Sequence, residues 1–171
     1  MLKYIFYCRL LFKLDNKYCK MENDYLYDVY MLCPVRNATD EEKKYLLEYK
    51  KKLEEKGFKV HYSAETPQED ETGGYRIVTD HCDEILNSKT VHIYWNPSSQ
   101  GSYVDLGSSL IENRRRGLDI LLMKKNIVRK IVDTQKKDWI EKKMEGFPKS
   151  YEMVLLYLDS IAEEETRISL E

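Results

Sequence analysis

Residues 91–107 constrain the possible folds of this chain more than any other segment does. Residues 91–95 are mostly β-branched or aromatic, which favours a buried strand. Asn96 and Pro97 follow, and proline ends a strand because it lacks the N–H group that a sheet hydrogen bond needs. The strand is therefore predicted to end at Asn96, before a polar loop of residues 98–101.

A helix is predicted directly after that loop. Ser102 can cap its first turn, and Leu106, Leu110 and Ile111 recur at the spacing of a buried helical stripe. Asp105 is predicted to lie in the first turn, where a carboxylate at the third helical position also has a simple capping role. The free N–H groups of such a helix start attract anions, phosphates especially.

The rest of the chain alternates predicted strands with predicted helices. Thr39 and Glu42 form a capping box at the start of the first helix, and Gly57 ends it. Residues 127–132 fit either a strand or a loop. The alternation predicts an α/β fold of three layers, Rossmann-like or flavodoxin-like (strand order 2-1-3-4-5), with a mostly parallel sheet and helices on both faces. The predicted strands are residues 27–33, 58–62, 91–96 and 119–123, and further helices are predicted at residues 75–88, 102–116, around Trp139, Ile140 and Met144, and at 151–161.

The first 20 residues are predicted to be separate from the main domain. Residues 1–20 are expected to be an N-terminal appendage, an extra edge element or the product of an upstream start codon, and residues 21–171 a single domain. The apolar run in residues 4–12 is interrupted by Arg9 and is shorter than the roughly 20 residues that span a bilayer. We therefore expect no membrane partner.

Charge and the spacing of cysteines and histidines indicate which classes of partner and metal site are not expected. The formal net charge is −2, with acidic and basic residues interleaved, which argues against a nucleic acid polymer as partner. The cysteines and histidines lack the paired spacing of zinc ligands, and the cysteines do not resemble a disulfide framework. We expect no metal and a reducing, cytoplasmic location.

The predicted topology places a ligand site before any motif is considered. In a doubly wound sheet, ligands bind above the carboxyl ends of the strands at which the chain reverses direction, here the first and third strands. The loop after the first strand contains Pro34, Arg36 and Asn37, and the loop after the third contains Asn96 and Gly101. We expect a small-molecule site between these two loops.

The third strand is followed by Gly101, then by Asp105-Leu106-Gly107, then by Ser109. This pattern resembles the one found in the nucleoside 2-deoxyribosyltransferases and the deoxynucleoside monophosphate N-glycosidases. The resemblance extends over roughly residues 27–123. In that family a glutamate at this position attacks the anomeric carbon, so the resemblance implies that Asp105 is the catalytic nucleophile. Aspartate is one methylene shorter than the family's glutamate.

The family also has a second acid on the preceding helix. Its position falls on His81, between Asp80 and Asp83, and either aspartate is expected to position the sugar or to assist proton transfer, with Asp80 the nearer in sequence. A solvated helix face, the commoner arrangement for such residues, also explains both aspartates without catalysis.

Residues in and beside these loops are candidates for substrate binding. Arg36, together with the N–H groups of Gly101 and Ser102, would bind a 5′-phosphate, since guanidinium and oxyanion form strong charge-assisted bonds. Arg76, at a helix start where the dipole disfavours a cation, either binds an anionic ligand or belongs to a loop hinge. Trp95 either packs in the core or stacks on a base.

The resemblance implies N-glycosidic cleavage or deoxyribosyl transfer on a deoxynucleoside or a nucleoside monophosphate, with no cofactor or metal. The alternative is a non-catalytic protein that uses the same pocket to sense or sequester a nucleotide signal, and an NAD-cleaving enzyme is a third possibility. Family members complete their sites with a neighbouring subunit, and residues 151–161 carry an apolar stripe that two subunits could share. We therefore expect a homodimer or a larger assembly.

Overall fold

A four-stranded parallel sheet forms the centre of the computed structural model, which describes residues 25–36, 38–146, 148–163 and 165–168. The predicted appendage at residues 1–20 and the candidate ligand residue Asn37 lie outside the described residues. The strands are β1 (Tyr27–Leu32), β2 (Val60–Tyr62), β3 (Ser88–Ile93) and β4 (Asp119–Leu122). The α-helices described are α1 (Asp40–Glu55), α2 (Tyr75–Leu86), α3 (Gln100–Arg116), α4 (Lys125–Glu141) and α5 (Tyr151–Ile161).

Each face of the sheet has its own hydrophobic core, because alternate residues of a strand point to opposite faces. One core packs the sheet against α1, and the other packs it against α2, α3, α4 and α5. This is the predicted three-layer, Rossmann-like α/β fold. The α1 core includes Val29, Met31, Leu46, Tyr49 and Leu53, and the opposite core includes Tyr30, Leu32, Ile85, Val91, Ile93, Leu106, Val128 and Leu155.

The sequence signals for α1 are confirmed in detail. The Thr39 hydroxyl accepts a hydrogen bond from the N–H of Glu42 at 3.2 Å, and the Glu42 carboxylate accepts one from the N–H of Thr39 at 2.8 Å. Gly57, which follows the helix, adopts a left-handed φ of 88°. Both helix ends therefore follow from local chemistry that the sequence displays.

The strand order is β2-β1-β3-β4, and every pairing is parallel. The chain moves outward from β1 to β2, then returns to the other side of β1 as β3, so the switch point lies between β1 and β3. Leu32 of β1 is paired with Ile93 of β3. The carboxyl ends of these two strands are therefore adjacent, and the loops that leave them form one edge of the sheet.

Two predicted boundaries were wrong. Residues 127–132, predicted as a strand or a loop, belong to α4, in which Val128 and Val132 are buried one helical turn apart. The third strand ends at Ile93, and Tyr94 and Trp95 are buried beyond its last ladder pair.

The C-terminal segment covers the α1 side of the sheet. The fully buried His92 of β3 lies 3.0 Å from the Tyr49 hydroxyl through Nδ1 and 3.0 Å from the Thr166 hydroxyl through Nε2. Arg167 donates to the buried carboxylate of Asp159 at 3.0 Å, which attaches this segment to α5. Among the helices described, none is both long enough and apolar enough to cross a membrane.

Candidate functional site

A cavity of about 680 Å³ opens where β1 and β3 end. Its walls come from three places: the loop after β1, the loop before α2 together with the inner face of α2, and the start of α3. The lining residues are Cys33, Val35 and Arg36 in the first, Gln68, Thr72, Gly73, Gly74, Tyr75, Ile77, Val78 and His81 in the second, and Ser99, Gln100, Gly101, Ser102, Val104 and Asp105 in the third. This volume lies within the range of small-molecule sites in proteins. The cavity occupies the edge at which the topology predicted a crevice.

Asp105 is the one acidic side chain among the described residues that line this cavity. It lies in the second turn of α3, and only 5% of the residue is exposed. Its Oδ2 atom is 3.1 Å from Nδ1 of His81 on α2, and the hydroxyl of Tyr30 on β1 donates to the same oxygen at 3.4 Å. Side chains from three separate elements thus meet at one carboxylate.

Burial and the Asp105 carboxylate raise the pKa of Tyr30 well above its ordinary value. The Tyr30 hydroxyl therefore stays protonated and can only donate to Asp105 at neutral pH. His81 has the complementary arrangement: Nδ1 faces the carboxylate, and Nε2 is buried with no hydrogen-bond partner among the described residues. We assign the ring proton to Nδ1, since an unpaired buried N–H at Nε2 would cost about 1–3 kcal/mol.

The start of α3 differs from its prediction. Ser99 is the N-cap residue, and Ser102 lies inside the helix with its hydroxyl 2.9 Å from that of Ser99. Asp105 is consequently one turn further along than predicted, outside the first turn, so its role as an ordinary N-terminal cap is wrong. No side chain among the described residues caps the first N–H groups of α3, and Gln100, Gly101 and Ser102 line the cavity.

The loop after β1 contributes a positively charged side chain to the cavity. Arg36 and Val35 line the cavity, and Arg36 is exposed. Pro34 is buried and does not line it. Cys33 also lies in the wall, but burial raises its pKa to about 12, so this thiol is not a nucleophile at neutral pH.

Asp80 and Asp83 do not line the cavity that contains Asp105. Both line a separate, smaller cavity of about 290 Å³ together with His61 and Glu84. Successive residues of a helix point about 100° apart, so His81 faces α3 while its acidic neighbours face away. Among these three residues of α2, His81 is the one that the structure brings to Asp105.

Arg76 has a structural role in the wall of the large cavity. Its guanidinium lies 3.2 Å from Asp80 and donates to the backbone oxygens of Pro67 and Glu69. Asp70 supports the same loop by accepting the N–H of Arg76 at 2.9 Å, and a hydrogen bond from the Thr72 hydroxyl is the main cause that lowers the Asp70 pKa to about 2. These contacts hold residues 67–76 in place, and the Arg76 side chain does not line the cavity.

Trp95 and Asn96 also lie outside the cavity lining. The Trp95 indole N–H donates to Glu152 at 2.9 Å, and its ring packs edge-on against Tyr103 at 5.0 Å. The Asn96 side chain accepts the N–H of Ser98 at 2.9 Å and so closes the turn before α3. The packing interpretation of Trp95 therefore fits, and Asn96 shapes the loop.

Two residues at the site, Tyr30 and His81, were not predicted as site residues. The sequence contains a signal for His81, because it repeats every four residues with the buried Ile77 and Ile85 and so belongs to the inner face of α2. Tyr30 is harder to find, since a tyrosine inside a buried strand has no local sign of a polar partner 75 residues away.

Among the residues described, no group of three His, Cys, Asp or Glu side chains converges as metal ligands would. In comparisons with known proteins, the chain matches no family model and has no significant match among curated proteins. The chemistry of the cavity is therefore the feature of this protein that points to a function.

Proposed function

We propose that this protein cleaves the N-glycosidic bond of a deoxynucleoside monophosphate, by hydrolysis or by deoxyribosyl transfer, with Asp105 as the nucleophile. One observation carries the proposal. A carboxylate that is 5% exposed lines a cavity of about 680 Å³ at the switch point of the sheet and is fixed there by His81 and Tyr30. Ligands of doubly wound sheets bind at this place.

The chemistry needs an anion that is held in one orientation. An Asp105 oxygen would attack the anomeric carbon as the bond to the base breaks, and the base would leave with the electron pair and take up a proton. Water, or a second base, would then attack the same carbon and release the carboxylate. Contacts from His81 Nδ1 and the Tyr30 hydroxyl at 3.1 and 3.4 Å support such an orientation.

A nucleotide is favoured over a nucleoside by the charge at the start of α3. The uncapped N–H groups of Gly101 and Ser102 and the exposed Arg36 side chain provide donors for a phosphate. At 1.5 Å per residue, Asp105 lies roughly 6 Å along the helix from Gly101. A sugar ring with its 5′ carbon would bridge that distance between phosphate and nucleophile.

The alternative, a protein that binds a nucleotide without turnover, is supported by a different feature of the same site. The Asp105 carboxylate already has two partners, and its side chain is one methylene shorter than the family's glutamate. A carboxylate engaged in this way is less available for attack. In this alternative the cavity would sense or sequester the nucleotide.

The experiment that separates the two is direct. The protein is incubated with each deoxynucleoside monophosphate and, separately, with NAD, and free base is measured by chromatography, while equilibrium dialysis measures binding of the same compounds. Release of base from at least one deoxynucleoside monophosphate is expected. Binding without release after prolonged incubation would reject the enzyme and favour the binding protein, and release from NAD alone would reject the substrate class.

We also propose that the protein assembles as a homodimer or a larger oligomer. Helix α5 buries Leu155 and Leu158 in the core and leaves Tyr151, Val154 and Tyr157 between 42% and 56% exposed. These three residues recur at helical spacing on one face, which a second copy of the chain would cover.

A further inference from the structure

Three exposed apolar side chains form one edge of the large cavity. Tyr75 begins α2 and is 71% exposed, Val78 lies one turn later and is 39% exposed, and Val104 of α3 is 45% exposed. All three line the cavity, and Val104 directly precedes Asp105. We call these three residues the apolar rim.

Folding does not explain the position of Tyr75. The core beneath α2 is made by Ile77 and Ile85, which are at most 8% exposed, and the N–H groups of Arg76 and Ile77 donate to Asp70. In the part of the chain that is described, the Tyr75 side chain has no hydrogen bond and no ring contact. A large ring left in water at a cavity mouth is better explained by a ligand that covers it.

The backbone before Tyr75 keeps the ring accessible. Gly73 and Gly74 adopt φ values of 71° and 100°, a region that residues with a Cβ rarely enter, and both line the cavity. No side chain therefore projects from these two positions between the loop and the ring.

We infer that Tyr75, supported by Val78 and Val104, is the surface on which the base of the bound nucleotide packs. This inference rests on the proposed function. With the sugar over Asp105, the base attached to its anomeric carbon would extend toward Val104 and the facing helix α2. Stacking of a base on an aromatic ring contributes roughly 10-fold to 100-fold in affinity and depends little on base identity. Tyr75 thus supplies affinity for the base without selecting among the bases.

A protein partner would use more of the same surface. The exposed face of α2 and α3 continues to Leu86, 39% exposed, and Ile111, 66% exposed, neither of which lines the cavity. A docking interface would involve these residues together with Tyr75, whereas base packing involves the apolar rim alone. Ile111→Ala is therefore the matched control, since it removes an exposed apolar side chain of the same face outside the cavity.

The test compares two ligands that differ only in the base: deoxyadenosine monophosphate and 2-deoxyribose 5-phosphate. Binding is measured by calorimetry in an Asp105→Asn background, so that neither ligand is consumed. Tyr75→Ala should lower the affinity for deoxyadenosine monophosphate by about 10-fold or more and change the affinity for 2-deoxyribose 5-phosphate by no more than about twofold. Tyr75→Phe should retain the affinity of the Asp105→Asn parent for both ligands, and Ile111→Ala should change neither affinity.

Several outcomes would overturn the inference. Equal affinities for deoxyadenosine monophosphate with and without the Tyr75 ring, or an equal loss for both ligands, would overturn it while leaving the proposed function in place. A change of oligomer mass in both Tyr75→Ala and Ile111→Ala would assign the ring to a protein interface instead. If the parent protein binds neither ligand, the proposed function fails and this inference fails with it.

Discussion

The Nδ1 atom of His81 lies 3.1 Å from Oδ2 of Asp105 and 3.3 Å from Oδ1, so that one imidazole on α2 fixes the carboxylate of α3. Both residues are at least nine-tenths buried. A buried carboxylate is costly unless it is hydrogen-bonded or paired, and His81 with Tyr30 meets that requirement. The same contact therefore connects the stability of the helix pair with the orientation of the proposed nucleophile.

Replacing the carboxylate isolates its chemical role. Asp105→Asn should lower base release by several orders of magnitude, because an amide is a poor nucleophile, while nucleotide affinity stays within a few fold. Chromatographic turnover and calorimetric binding measure the two effects. Asp83→Asn makes the same chemical change on an exposed residue of the smaller cavity, and its turnover should match that of the wild type. Equal losses in the two variants would contradict the assignment of the nucleophile.

Lengthening the same side chain distinguishes an active enzyme from a pocket that only binds. Asp105→Glu moves the carboxylate about one bond further from α3 and disturbs its contacts with His81 and Tyr30. A misplacement of about 1 Å can cost on the order of 10²-fold in rate, so an enzyme tuned to aspartate should lose that much base release. Base release that appears only in this variant would instead identify the wild type as the binding protein.

Coupling between His81 and Asp105 can be measured directly. His81→Ala leaves a buried carboxylate without its main partner and should cost about 3 kcal/mol of unfolding free energy. In Asp105→Asn the same His81 change should cost at least about 1 kcal/mol less, because no charge remains to be compensated. Urea unfolding of the four proteins gives this difference.

Activity gives a second readout of the same pair. If His81 positions the nucleophile, His81→Ala lowers kcat more than it raises KM. Tyr30→Phe is the milder control, since it removes only the hydroxyl at 3.4 Å and should cost less than about 1 kcal/mol. Additive unfolding energies, or a loss confined to KM, would show that the contact does not position Asp105.

The sequence predicted the parts of this fold that local chemistry determines. The capping box of Thr39 and Glu42, the stop at Gly57 and the alternation of apolar segments are each readable within a few residues. Together they predicted the three layers and the edge at which the cavity lies. Local patterns also explain the error at residues 127–132, because a short apolar run fits a strand and a helix equally. The packing of Val128 in the core beneath the sheet is what distinguishes the two.

The site was predicted less completely because side-chain direction depends on exact register. Predicting the N-cap at Ser102 instead of Ser99 places Asp105 in the first turn instead of the second and suggests a capping role that it does not have. Asp80 and Asp83 were predicted as site residues because they carry charge. The helical spacing of Ile77, His81 and Ile85, however, already places residue 81 on the inner face of α2. The contact of Tyr30 with Asp105 depends on tertiary packing, and no local pattern could have predicted it.

The homodimer remains a prediction that solution measurements can decide. Light scattering at micromolar concentration should give at least twice the monomer mass of 20.4 kDa. Val154→Glu places a charge in the middle of the exposed face formed by Tyr151, Val154 and Tyr157, and it should shift the mass toward the monomer without lowering the unfolding free energy by more than about 1 kcal/mol. A wild-type mass equal to that of the monomer would reject the prediction.

His92 should make stability depend on pH although its side chain contacts Tyr49 of α1 and does not line the cavity. Burial is the main cause that lowers its pKa from 6.5 to about 3, and the positive charge of Arg167 adds to this while Asp159 opposes it. The unfolded chain therefore binds a proton below pH 6.5 that the folded protein does not bind until about pH 3. Stability is complete above pH 6.5 and decreases as pH falls through this window, by roughly 1.4 kcal/mol per pH unit for this residue.

Urea unfolding at pH 7 and at pH 4.5 measures the effect, and the expected decrease from His92 is about 2–3 kcal/mol. This interval lies above pH 3.8, where Asp70, with its pKa lowered to about 2, would begin to contribute a loss of its own. His92→Gln should be less stable than the wild type at pH 7, because the hydrogen bonds to Tyr49 and Thr166 change. Its unfolding free energy should, however, decrease less between pH 7 and pH 4.5, by about 2–3 kcal/mol, because the variant lacks the imidazole that binds a proton on unfolding. Since His61 also has a lowered pKa, the quantity that decides is the difference between the two proteins. Parallel pH profiles for wild type and His92→Gln would show that His92 is not the residue responsible.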